Sequence, residues 1–237
     1  MPQAKQTSTL VNWLGYLAIT LLLVLPLSVL TVRAGAWQQG LLLFALCCLG
    51  SLLLLALAGL LLLIPKYAEM RKGNALRMLA ALPGSILLVS LMAGRGDYPP
   101  IHDITTDTDD PPRFVTAEKQ RGEGSNPLDV QAETIAAQRE AYADLQTLVT
   151  DRSIEDAFDH ALAVAADQGW EVYHQDRNAG VIEAVDTTAI MAFKDDIVIR
   201  LRTNADGTLV DIRSVSRVGV SDLGANAARI RAFQQAF

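Results

Sequence analysis

Residues 195–216, DDIVIRLRTNADGTLVDIRSVS, decide how the C-terminal half is read. Ile197, Ile199 and Leu201 fall on one side of an extended chain, while Val198, Arg200 and Arg202 fall on the other. Side chains alternate with a period of two in a strand, so this spacing predicts a strand with one apolar face. Residues 204–207 are turn formers, and TLVDIRSVS (208–216) returns as a second strand.

The same logic extends outward. WEVYHQD (170–176) and GVIEAVDTT (180–188) read as two more strands joined by a turn over 176–180, with Trp170, Val172 and His174 on one side. Before them the period is helical. Ser153 caps a helix with Asp156 at the capping-box position, Ile154, Ala157, Phe158, Ala161, Leu162 and Ala165 form its stripe, and Gly169 ends it. An earlier helix starts near Asp129 and carries Ile135, Tyr142, Leu145 and Val149 at helical spacing. A last helix starts near Ser221 or Asp222, with Leu223, Ala227, Ile230 and Phe233 or Phe237 on its apolar face. The order predicts an α+β domain: a four-stranded, mainly antiparallel sheet with helices on one face and a charged face toward water.

The N-terminal part is of another kind. Apolar stretches run over about 10–32, 39–64 and 76–93. About 20 apolar residues cross the hydrocarbon of a bilayer, so the first two qualify as transmembrane helices. The third contains Arg77, Pro83 and Gly84. It reads as a third, kinked span, the alternative being a re-entrant or interfacial helix. Residues 1–94 carry six basic side chains and one acidic (Glu69), and residues 95–237 the other 14 basic and 25 acidic, giving +5 and −11. Lys66, Arg71, Lys72 and Arg77 cluster between the second and third stretches, and the positive-inside rule puts that loop, with the N-terminus and Lys5, in the cytoplasm. A third crossing then delivers the acidic domain outside; without it the domain is cytoplasmic. The expected location is the inner (cell) membrane with the domain on the periplasmic or extracytoplasmic side. Ala34-Gly35-Ala36 resembles a signal-peptidase site, but the apolar core before it is long and Arg33 adjoins it.

The chain therefore divides into a membrane region (1–94), an irregular connector (95–130) rich in Pro, Gly and short polar residues, and an α+β domain (131–237), with 98–130 packing on the domain. The excess of acid excludes a nucleic-acid partner for the domain. The adjacent Cys47 and Cys48 offer neither a disulfide nor metal-ligand spacing.

HDITTDTDDPPRF (102–114), FKDDIVIRLR (193–202) and RSVSRVGVSDLGANAARI (213–230) resemble, in this order, the signatures of the domain-of-unknown-function 1499 family. The resemblance covers about residues 98–237. It implies a small soluble domain combined with N-terminal membrane segments, as in many bacterial members, and implies no reaction. Similar proteins tend to carry proline where this chain has Ala143, so the helix here is expected to run further.

Two clusters are candidate sites. His102, Asp103, Asp107 and Asp109 supply hard oxygen and nitrogen donors for a divalent cation, against the plainer reading that they cap turns. No other cofactor is predicted. Arg200, Arg202, Arg213, Ser216, Arg217, Ser221 and Asp222 are candidates for binding an anion at the start of the last helix, against a structural network with Glu183, Asp186, Asp195, Asp196 and Asp211. Asn226 and Arg229 are structural candidates, Arg229 clamping the helix to the loop before it. An enzyme built on both clusters requires Asp107 and Arg217 in one cleft. No G-x-S-x-G elbow, phosphate loop, dinucleotide fingerprint or zinc signature is present. Expected partners are the lipid bilayer and an envelope protein or small anionic ligand.

Overall fold

The computed structural model describes residues 8–94, 96–205 and 207–237. Lys5 of the basic N-terminus and Asp206 of the predicted turn lie outside the described residues. The chain forms two compact units, Met1–Arg95 and Gly96–Phe237.

The first unit holds α1 (Thr9–Arg33), α2 (Trp37–Leu63), a 3₁₀ helix (Pro65–Met70) and α3 (Arg71–Ala93). Three helical segments are long and apolar enough to cross a membrane, and only 22, 22 and 17% of their apolar windows is buried, which leaves wide faces for lipid. Pro83 sits inside α3 without ending it. Close approach relies on small residues, as is usual where apolar attraction between helices is weak. A Cβ on Gly40 would lie 2.8 Å from the Ser28 carbonyl oxygen, and one on Gly84 would lie 2.8 Å from Ser51 Cβ.

The second unit contains β1 (Asp103–Thr105), α4 (Ala117–Gln120), α5 (Ala132–Ala141), β2 (Leu148–Thr150), α6 (Ile154–Asp167), β3 (Glu171–Asp176), β4 (Val181–Thr187), β5 (Lys194–Asn204), β6 (Gly207–Ser216) and α7 (Ala225–Ala236). The sheet is antiparallel and open, in the order β1-β6-β5-β4-β3, with β2 also on β6. It has six strands, not the four predicted. The two extra strands are three residues each, too short to show a period. β1 lies in the stretch read as irregular. β2 lies in the stretch read as helix: α5 stops at Ala141, Tyr142 leaves helical geometry at φ −134°, and Leu148–Thr150 pairs with β6. The helix is thus not extended past Ala143.

One sheet face is apolar. Ile104, Ile182, Ile197, Ile199, Leu201, Val210 and Ile212 meet Phe158 and Ala161 of α6 and Ile230 and Phe233 of α7. Burying each large side chain contributes about 1.5–3 kcal/mol. Ser153 caps α6 by accepting from the Asp156 N–H at 3.1 Å, and Gly169 comes after the helix at φ +78°. Trp170 stacks on Phe233, with centroids 5.5 Å apart.

β3 departs from the simple alternation. The pairing with β4 shifts between Val172 and His174, leaving Tyr173 as an extra residue. Val172 opposes Ala184 on the apolar face, but His174 opposes Glu183 on the other. A bulge of one residue turns the rest of the strand over, so Trp170, Val172 and His174 do not share a face as expected.

Candidate functional site

The second sheet face gathers the charges. By register, Asp103 and Thr105 of β1, Asp211 and Arg213 of β6, Asp196, Arg200 and Arg202 of β5, and Glu183 of β4 all belong to it. This face was expected to meet water. Instead, Glu183, Asp196 and Asp211 are fully buried and Arg213 is 2% exposed. Residues 106–128 lie over it, and their polar groups are what the charges bond to.

Arg213 marks the middle. Its Nε and Nη2 bond Asp103 Oδ1 and Oδ2 at 2.9 and 2.7 Å, a two-pronged pair across β1 and β6. Nη1 donates to the Pro112 carbonyl at 3.2 Å and Nη2 to the Leu128 carbonyl at 2.7 Å, while the Phe114 ring lies 5.5 Å from the guanidinium carbon. The planar fork therefore ties two strands to both ends of the covering segment.

Toward one end of the sheet, Arg200 and Arg202 meet three carboxylates. Arg200 bonds Asp107 at 3.0 Å, Asp110 at 2.9 Å and Asp211 at 3.1 Å. Arg202 bonds Asp107 at 3.0 Å and Asp211 at 2.8 Å. Asp211 also accepts from the Thr147 hydroxyl at 2.6 Å. Burial alone would raise the Asp107 carboxyl, but backbone N–H groups of Asp110 and Asp109 and the two guanidinium groups hold it below the usual carboxylate range. Burial opposes the charge of Arg202, yet Asp211 and Asp107 raise its pKa further.

Toward the opposite end, Arg217 grips Asp196 with Nε and Nη2 at 3.0 and 2.7 Å and donates to the Gln120 carbonyl at 3.0 Å. Arg121 approaches the same carboxylate at 3.3 Å, and its pKa is lowered by burial despite that neighbour. Beside them Glu183 accepts from the Val115 N–H and from the Thr116 N–H and hydroxyl. The Tyr173 hydroxyl is pushed well above its ordinary pKa by burial and then by Asp196 and Glu183.

A fourth network lies on the helical side. Arg229 bonds Asp186 at 2.7 Å, Asp195 at 2.6 Å, Asn226 Oδ1 at 2.6 Å and Ser214 at 3.1 Å. Asn226 donates to the His102 carbonyl and to the Ser216 hydroxyl, both at 3.0 Å. Arg229 thus clamps α7 to β4, β5 and β6. α7 begins at Ala225, three residues after Asp222. Asp222 caps it from outside, accepting from the N–H groups of Gly224 at 2.8 Å and Asn226 at 2.9 Å, while Ser221 accepts from Leu223 at 3.2 Å.

The candidates therefore separate into distinct groups. Asp107 lies with Arg200 and Arg202, Arg217 lies with Asp196, and the single cleft that would join Asp107 to Arg217 is not formed. The four proposed metal donors diverge as well: His102 faces the Val220 carbonyl, Asp103 faces Arg213, and Asp109 faces Arg139. Among the described residues no group of three or more His, Cys, Asp or Glu is placed to hold a metal ion.

Residues 103–237 match the family described as "Protein of unknown function (DUF1499)". The chain belongs to this family. No curated protein matches it. The DUF1499 region begins at β1, so the strand that sequence reading missed is inside the matched domain.

Sequence reading also missed Arg121, Tyr173 and Gln138. Gln138 is buried and acts as a surrogate strand: its carboxamide accepts from the Thr105 N–H at 3.0 Å and donates to the Thr105 carbonyl at 2.5 Å, closing the free edge of β1. A polar residue on a short helix carries no local signal of this role. The loop from β6 to α7 of the DUF1499 domain exposes large apolar side chains. There Val220 is 74% and Leu223 63% exposed, and the Tyr98 ring lies against Gly224 beside them. Leu223 was expected on the buried face of the last helix. It lies before that helix, at φ +53°, a left-handed conformation that costs a leucine roughly 1–2 kcal/mol.

Proposed function

We propose that this protein is a membrane-anchored, extracytoplasmic binding or assembly domain. The observation that carries the reading is the mutual pairing of Arg200, Arg202, Arg213 and Arg217 with Asp103, Asp107, Asp110, Asp196 and Asp211. Those arginines act as structural clamps and leave little capacity for a small anion. Recognition then belongs to the surface, where Tyr98, Val220 and Leu223 form the exposed apolar ridge. A backbone that spends strain to hold a leucine in water fits a ridge kept for contact. The partner we favour is a protein. The −11 charge of residues 95–237 opposes an anionic lipid surface and suits a partner with basic groups around an apolar centre.

Three candidate spans and the basic residues between 66 and 77 support placing the domain outside the cytoplasm. A reporter fused after Phe237 tests this: activity from an export-dependent reporter is the expected result, and activity only from a cytoplasmic reporter reverses the orientation. A photo-crosslinking amino acid at Val220 or Leu223 of the full chain tests the binding role. Discrete protein adducts in intact cells are expected at both positions and not at the exposed Val149. The same adduct pattern at all three positions, or none, rejects the ridge.

A further inference from the structure

Arg77 stands at the second position of the predicted third span, and residues 1–94 offer a single carboxylate, Glu69, which makes no ion pair with it among the described residues. Its hydrogen bond goes instead to a neutral group: Nη2 donates to Asn12 Oδ1 at 3.1 Å, across from α3 to α1. A cation at the edge of a membrane span, between two helices and without a protein countercharge, is placed to meet an anion of the membrane itself.

The surroundings are shaped for such a partner. Asn12, Gly15, Tyr16, Ile19 and Arg77 line an open groove of about 120 Å³. Gly15 gives this side chain its room: a Cβ would collide with Arg77 Nε and lie 2.9 Å from its Cδ, so the arginine would have to move aside. The Arg77 side chain therefore passes over Gly15 of α1 and reaches the Asn12 amide. The volume is well below the ~300 Å³ of an ordinary small-molecule pocket. It admits a headgroup-sized anion, and the exposed faces of Ile19 and Leu79 offer apolar surface for attached chains.

Depth agrees with this. α1 is 25 residues long, about 37 Å of helix against about 30 Å of hydrocarbon, and Asn12 is its fourth residue. Asn12 thus sits at one membrane–water boundary. Trp13 and Tyr16, both exposed and packed edge to face with centroids 6.1 Å apart, stand at the same level, where aromatic side chains gather.

We propose that the α1–α3 groove binds the phosphate of an anionic phospholipid, with Arg77 as its fork, held by Asn12 and given room by Gly15. The ligand is a membrane lipid and the site lies in the leaflet at the Lys66–Arg77 end of the helices. Mere snorkelling of a long cationic side chain would give no lipid preference beyond that of its basic neighbours.

The test uses the full chain, taken up in an equal mixture of phosphatidylglycerol and phosphatidylcholine, released in mild detergent and weighed intact with its retained lipids. The expected result is one retained phosphatidylglycerol, favoured by about tenfold, as suits a charge-assisted bond. Arg77→Gln should reduce the preference to parity. Arg71→Gln and Lys72→Gln, which remove the same charge, should leave it intact. Gly15→Ala keeps the charge but displaces the fork, and should also reduce it. An equal loss in all four variants overturns the site in favour of general attraction. If a variant fails to insert, the wild-type chain still decides: retention of both lipids alike overturns the proposal.

Discussion

Arg213 and Asp103 are 110 residues apart in sequence and joined by two hydrogen bonds of 2.9 and 2.7 Å. Both are buried, and the pair fixes β1 to β6. Removing one partner leaves a buried charge without its counterion, which costs about 3–5 kcal/mol. Arg213→Met or Asp103→Asn should therefore lower the melting temperature of the domain sharply. The double change should cost less than the sum of the two, as thermal unfolding in detergent would show.

Asp107 gives the domain an acid limit. Its carboxyl ionises more readily folded than unfolded. It therefore stabilises the fold above the unfolded value of about 3.9, and that contribution is lost as pH falls through the lower folded value. Asp107→Asn should reduce stability near neutral pH and make the decline below about pH 4 shallower. A profile of melting temperature against pH that keeps its slope would remove Asp107 from this role.

Gln138 substitutes for a strand at the edge of β1. Gln138→Leu keeps the bulk but leaves the Thr105 N–H and carbonyl without their partners, a cost of about 1–3 kcal/mol. The loss should be local first, seen as faster hydrogen exchange at residues 103–105 with the α6 amides unchanged.

Leu223 is held in a left-handed conformation that asparagine adopts far more easily. Leu223→Asn should raise stability by up to about 1 kcal/mol while weakening crosslinks formed from Val220. A destabilised variant would mean that the leucine packs inward and that the exposed ridge is not its purpose.

The strands that carry the apolar core were legible because Ile197, Ile199 and Leu201 are buried on one side and the period of two is local. The three apolar helices were legible for the same reason: length and composition suffice. The features that escaped reading depend on distant chain. β1 and β2 have three residues each and form only because β6 offers them an edge. The bulge at Tyr173 leaves no mark in WEVYHQD, so His174 went to the wrong face. Arginines on the outer side of β5 look like solvated charges until a segment some 90 residues earlier folds over them. The arginine–aspartate network was read as one of two alternatives, but its partners Asp103 and Asp107 were read separately, as turn formers or cation ligands. Nothing in their spacing says that the turn they make is pinned to a sheet.

Residues 106–121 form a layer sealed over the charged sheet face, held by Arg200, Arg213 and Arg217, and the structural role of those arginines depends on it. Hydrogen exchange on the full chain tests this most directly. The Thr106, Thr116 and Arg121 amides should be protected together with β5 and β6, and Arg213→Met should release them. Fast exchange across 106–121 in the wild-type protein, with β5 and β6 still protected, would show a loose connector over an open charged face and would contradict the sealed layer.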